Sequence, residues 1–174
     1  TIILWANQKA RIMAAADLNA VRATIEKHFL AGFGAGMAKQ DGDILTSEGG
    51  LIIVTESPEA DSTPLVFNNL SYVPAANDSF VQCLVSFASS SYLTLGSSTD
   101  SINRINGTIV ANVFTPQNVG PGANYDLATR VCTLYTRHII DGIQFEAISG
   151  PGVVTAPQPS SFFQTTVTVP FNVF

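Results

Sequence analysis

Gly120-Pro121-Gly122 follows a β-branched run, Thr108 to Phe114, and leads into a segment with helical spacing. Strand, glycine loop and helix is how many phosphate sites are built, because loop amides and a helix N-terminus face the anion. A P-loop needs Gly-Lys-Ser/Thr, whose lysine neutralises the phosphates and whose hydroxyl holds the metal. Here Ala123 and Asn124 follow Gly122, and no lysine lies downstream. A dinucleotide loop needs a third glycine so that the helix can approach the strand. Tyr125 stands in its place, although Asp141 has the spacing of the ribose-binding acid. Pro121 also removes one amide that an anion would want. The loop is therefore read as a way to attach a helix to a sheet.

Other chemistry is equally thin. There are many serines but no Gly-x-Ser-x-Gly elbow. His28 and His138 are the only imidazoles, and each falls on a helical face where packing or the helix dipole gives it a role. No His/Cys/acid grouping has zinc spacing, and the acids of the glycine-rich stretch lack EF-hand spacing. An enzyme built on carboxylates alone stays open. Cys83 and Cys132 are read as small buried thiols, since two cysteines make no disulfide framework. Asn69, Asn77 and Asn106 open glycosylation-type triplets, which a chain rich in Asn, Ser and Thr produces by chance. The expectation is a protein without catalytic residues, metal or cofactor.

Composition points the same way. Of 174 residues, 46% are hydrophobic and only 12% charged, against roughly 25% in ordinary soluble domains. A surface so poor in charge is weakly protected against association. It suits a subunit that lives against neighbours; the alternative is a neutral-surfaced monomer. The net charge of −5 gives no general attraction to nucleic acid or anionic membranes. Asp41, Asp43, Glu48, Glu56, Glu59 and Asp61 follow one another with no Lys or Arg between them. They form either a solvated loop or a surface that repels a polyanion. No apolar stretch reaches the length of a membrane span, and Ile2-Ile3-Leu4-Trp5 is too short for a signal-peptide core.

The elements that position these residues follow from periodicity. A helix is predicted over 9–30, with Ala14, Leu18, Val21, Ile25 and Phe29 in one stripe and Gly32, Gly34 and Gly36 ending it. A Gly-rich acidic loop covers about 32–61, broken by a short strand, Leu51-Ile52-Ile53-Val54, and an extended piece starts at Leu65-Val66-Phe67. Alternation predicts a long hairpin, 80–95 and 102–115, turning at 96–101. Asn106-Gly107 is a competing two-residue turn; in the longer hairpin Gly107 is read as a bulge. A second helix is expected over 122–138, with Leu127, Val131, Leu134 and His138 in its stripe, flanked by Ala128 and Tyr135. Asp141-Gly142 precedes a strand over 143–148, and a Gly/Pro loop over 150–159 follows. The last strand, 162–174, has Phe163, Val167, Val169, Phe171 and Val173 on one face. Pro170 makes it an edge strand or breaks it there. The fold class expected is α+β: a mainly antiparallel β-sheet with a long hairpin and two α-helices packed on one face, one domain over 1–174.

This order of elements resembles the tail terminator (tail completion) proteins of long-tailed phages. The stretch from Gly120-Pro121-Gly122 through Asn124, Leu127, Ala128 and Val131 to Tyr135 is similar to that family's strand, small-residue turn and helix. Thr165, Val167, Val169 and Phe171 resemble its closing strand. The acidic stretch 32–61 departs from the compact members. The resemblance implies a homohexameric ring in the virion, assembled in the host cytoplasm. It would cap the tail tube, stop its growth and present the surface that a head-completion or connector protein joins. Genomic DNA would pass through the lumen without sequence recognition, and no membrane is involved. Arg130 and Arg137, four and eleven residues beyond Asp126, could pair across subunits or remain solvated. Gly120, Gly122 and Asp126 complete the candidate interface set. Another tail or neck protein, such as a tube subunit or head-closure protein, is the nearest alternative. A secreted adhesion or carbohydrate-binding module is more distant.

Overall fold

The computed structural model describes residues 17–33, 52–53, 63–68, 70–93, 103–154 and 161–174. Apart from a few residues, the acidic stretch 32–61 lies outside them, as do Ala14, the hairpin turn expected at 96–101 and Asn69.

Helix α1 spans Leu18–Gly32. Asp17 caps it, its carboxylate accepting from the Asn19 amide at 3.0 Å. Val21, Ile25 and Phe29 are buried as the stripe requires, joined by Leu30. Helix α2 spans Gly122–Tyr135. Its buried stripe is Asn124, Ala128, Val131 and Tyr135. That is a rotation from the expected one: Leu127 and Leu134 are only half-buried, and His138 stands exposed beyond the helix end. The apolar pattern misplaced the face because its first inward residue is polar.

Among the described residues, eight strands make one sheet in the order β1-β2-β3-β4-β8-β6-β5, with β7 beside β8. They are β1 Ile52–Ile53, β2 Leu65–Phe67, β3 Phe80–Tyr92, β4 Asn103–Pro116, β5 Ile139–Ile140, β6 Ile143–Phe145, β7 Ser149–Val154 and β8 Phe162–Val173. The fold is α+β, with both helices on one face. All neighbours are antiparallel except β2 and β3, which are parallel. The loop between these two brings the chain back to the same end, held by a turn in which the Ala75 amide donates to Asp78 Oδ2 at 3.0 Å. The side chain of Asn68 then extends β2 by bonding both the amide and the carbonyl of Val85.

The hairpin is β3–β4, and Asn106-Gly107 lies inside β4. The register slips by one residue between Phe87 and Ser90, so the bulge falls on β3 rather than at Gly107. Gly107 has another role. The Phe171 ring covers it, and an added Cβ would lie 2.2 Å from Phe171 Cζ.

Strand β8 is not an edge strand. It pairs with β4 along its whole length and with β6 and β7 on its other side. Pro170 fits because its carbonyl, accepting from the Glu146 amide at 2.8 Å, faces away from β4. Its nitrogen faces the same way, into the gap where β6 has ended and β7 has not begun. Strand β7 itself occupies the start of the expected Gly/Pro loop; residues 155–160 lie outside the described ones. The strand expected over 143–148 ends at Phe145, after the Asp141-Gly142 turn that pairs it with β5. Both turn residues have positive φ, 47° and 84°, as a tight two-residue hairpin requires.

The core lies between helices and sheet. Val81, Cys83 and Val85 stand opposite Val113, Ala111 and Ile109, and these stand opposite Thr165, Val167 and Val169. All nine are buried.

Candidate functional site

The glycine loop docks a helix. Pro121 precedes α2 with no side-chain cap, and Gly120 adopts φ 86° to turn the chain out of β4. Two residues into the helix, Asn124 points inward and is fully buried. Its Nδ2 faces the Val113 carbonyl at 3.1 Å, the Phe163 carbonyl at 3.2 Å and Thr115 Oγ1 at 3.2 Å. The Thr165 hydroxyl donates to its Oδ1. One amide side chain thus ties the helix start to β4 and β8 at once, which answers the loop's resemblance to a phosphate site.

The residues singled out for an interface are spread along α2. Gly120, Gly122 and Asp126 are exposed at its start, with open space beside both glycines. Arg137 is exposed past its other end, with φ 56°. Arg130 is engaged within the chain: its Nε donates to the Gly32 carbonyl at 3.3 Å, and its guanidinium lies 4.7 Å over the Phe33 ring. It joins α2 to the end of α1, leaving Asp126 and Arg137 as the charged members free to face a neighbour.

The broad surface lies on the other side of the sheet, facing away from the helices. It is built in rows across β3, β4 and β8. Gln82, Asn112 and Thr166 form the first, with Asn112 donating to Gln82 Oε1 at 3.3 Å and accepting from Thr166 at 2.8 Å. Leu84, Val110 and Thr168 form the second; Ser86, Thr108 and Pro170 form the third. At the hairpin end Arg104 binds Asn172 at 2.7 Å and Glu146 at 3.1 Å, while Asn172 also donates to Glu146. At the opposite end Phe80 stacks on Phe114 at 4.5 Å, with Tyr72 beside Phe80 at 5.1 Å. Apart from the Arg104–Glu146 pair, these rows carry no charge. Beyond them the hairpin runs on as Ala88-Ser89-Ser90-Ser91-Tyr92, all exposed, with Leu93 exposed after it.

Sequence reading missed this face. Its residues, Asn, Thr, Ser and Gln alternating with buried apolar ones, look like ordinary solvated strand positions. The signal was available in what is missing: long strands with almost no Lys, Arg, Asp or Glu on their open side.

Buried titratable groups cluster under α1. Burial pushes the Cys83 thiol far up and raises the Tyr135 phenol, whose hydroxyl donates to the Ile25 carbonyl at 3.3 Å. A thiol so held stays protonated and inert.

No protein-family model matches the chain. No curated protein matches it. Among solved structures, one whose name states no function is similar over 92% of this chain and 97% of its own, with 14% identity and a TM-score of 0.58. At that identity the likeness concerns the fold alone.

Proposed function

We propose that this chain is a structural virion protein of a long-tailed phage, a tail terminator that caps the tail tube. It forms a ring, most simply a homohexamer, ends tube polymerisation and offers the head-completion or connector protein a joining surface. Genomic DNA passes through the lumen unread. The observation that supports this reading is the open face of β3, β4 and β8. A chain of net charge −5 repels its own copies. That face, neutral over three rows and continued by the exposed hairpin arm, is where copies can approach without that cost.

The test is tube growth. Purified chain added to polymerising tail-tube subunits should arrest elongation and leave rings on tube ends in electron micrographs. Tubes that lengthen unaffected, with bare ends, would contradict the proposal. A tube subunit or head-closure protein is the second reading, since the hairpin arm serves it equally well. It is distinguished by the chain polymerising into tubes itself, or by its binding the head connector but not tube ends.

A further inference from the structure

The chain has only two histidines, far apart in sequence, and the fold brings them together. The rings of His28 and His138 stand 5.7 Å apart, centroid to centroid, with planes at 43°.

The surroundings suit a cation. His28 is half-buried one turn before the end of α1, and its Nε2 lies 3.2 Å from the Leu134 carbonyl. A carbonyl only accepts, so Nε2 is the donor there and Nδ1 is the ring nitrogen available to a metal in the neutral tautomer. Metal-binding imidazoles are oriented in this way, by donating the other ring N–H to a carbonyl. His138 is exposed, but its backbone is fixed: its amide donates to the Tyr135 carbonyl at 3.4 Å, and its carbonyl accepts from Phe145 at 3.3 Å. The pair sits at the C-terminal end of α2, where the helix dipole favours a positive charge. Metal–nitrogen bonds of about 2.0–2.1 Å place two imidazole centroids about 5–6 Å apart at ligand–metal–ligand angles between roughly 105° and 130°. The observed separation falls in that range. Among the described residues no third His, Cys, Asp or Glu completes a larger cluster.

We propose that His28 and His138 form a two-imidazole site for a borderline divalent cation, zinc, nickel or copper, with water filling the remaining positions. Imidazole nitrogen favours these ions over magnesium or calcium, which want oxygen. The bound ion joins α1 to the far end of α2, at the opposite end of α2 from Asn124. The proposal is independent of the virion reading.

Chain stripped with EDTA and desalted should melt roughly 2–4 °C higher in saturating ZnCl2, and calorimetry should show one zinc per chain. MgCl2 and CaCl2 should leave the melting temperature unchanged. His138→Ala, at an exposed position that keeps the fold, should remove both the shift and the calorimetric signal. His28→Gln should do the same. Cys132→Ser should keep both, which separates the imidazoles from the half-buried thiol. No zinc-dependent shift in the unmodified chain, or a shift that survives His138→Ala, would overturn the proposal.

Discussion

Asn124 and Thr165 meet in the interior, 41 residues apart in sequence, with both side chains fully buried and the threonine hydroxyl donating to the amide oxygen. Replacing Asn124 with Ala would leave the Val113 and Phe163 carbonyls and two hydroxyls without this partner. Unsatisfied buried groups of this kind cost about 2–4 kcal/mol together. The expected outcome is a melting temperature lower by roughly 5–10 °C. Asn124→Asp should lose more, because it sets an acceptor against two carbonyls. If Asn124→Ala melts like the unmodified chain, the helix is held by its apolar face alone.

Gly107 and Phe171 make a second checkable contact. Gly107→Ala forces the Phe171 ring to move and should cost about 1–3 kcal/mol in urea unfolding. Phe171→Leu in the same chain should recover part of that loss, a coupling that a backbone effect would not give. Gly122→Ala, where a Cβ meets open space at the first helical position, should be neutral or slightly stabilising.

Glu26 gives a pH dependence. Burial raises its carboxyl above the ordinary range, outweighing the Arg22 guanidinium 2.9 Å away. The folded chain therefore holds this proton more tightly than the unfolded chain does. Below the unfolded value the group is neutral in both states and costs nothing; above the folded value its burial cost is fully present. Glu26→Gln keeps an acceptor for Arg22. It should melt above the unmodified chain at pH 8, and the advantage should vanish below about pH 4. An advantage unchanged between those two values would show that the carboxylate's burial is not its source.

How much of this could be read from the sequence depends on whether the signal is local. The buried stripe Val21-Ile25-Phe29, the alternation in β3 and β8 and the Asp141-Gly142 turn are local, and the structure has them where periodicity put them. What was missed depends on partners distant in the chain. Asn124 looks like a helix-start residue until Val113, Thr115, Phe163 and Thr165 surround it. Pro170 looks like an edge residue until the gap between β6 and β7 receives it. Strand β7 is hidden by Gly150, Pro151 and Gly152, whose composition reads as loop. The parallel β2–β3 pair has no local signature. The two histidines look unrelated until the fold sets α1 beside the end of α2.

The open sheet face yields its own test. Val110 lies at its centre, between Leu84 and Thr168. Val110→Glu should change the stability of the folded chain by less than about 1 kcal/mol, because the position is only half-buried. It should weaken self-association by roughly tenfold or more, through repeated like charge. A variant that associates as well as the unmodified chain would remove this face from the interface.

Sedimentation of the purified chain tests self-assembly most directly, read across a hundredfold range of concentration. The proposed ring predicts a closed species near six times the 18.4 kDa chain mass that neither grows nor dissociates over that range. A species of 18.4 kDa at every concentration would contradict it.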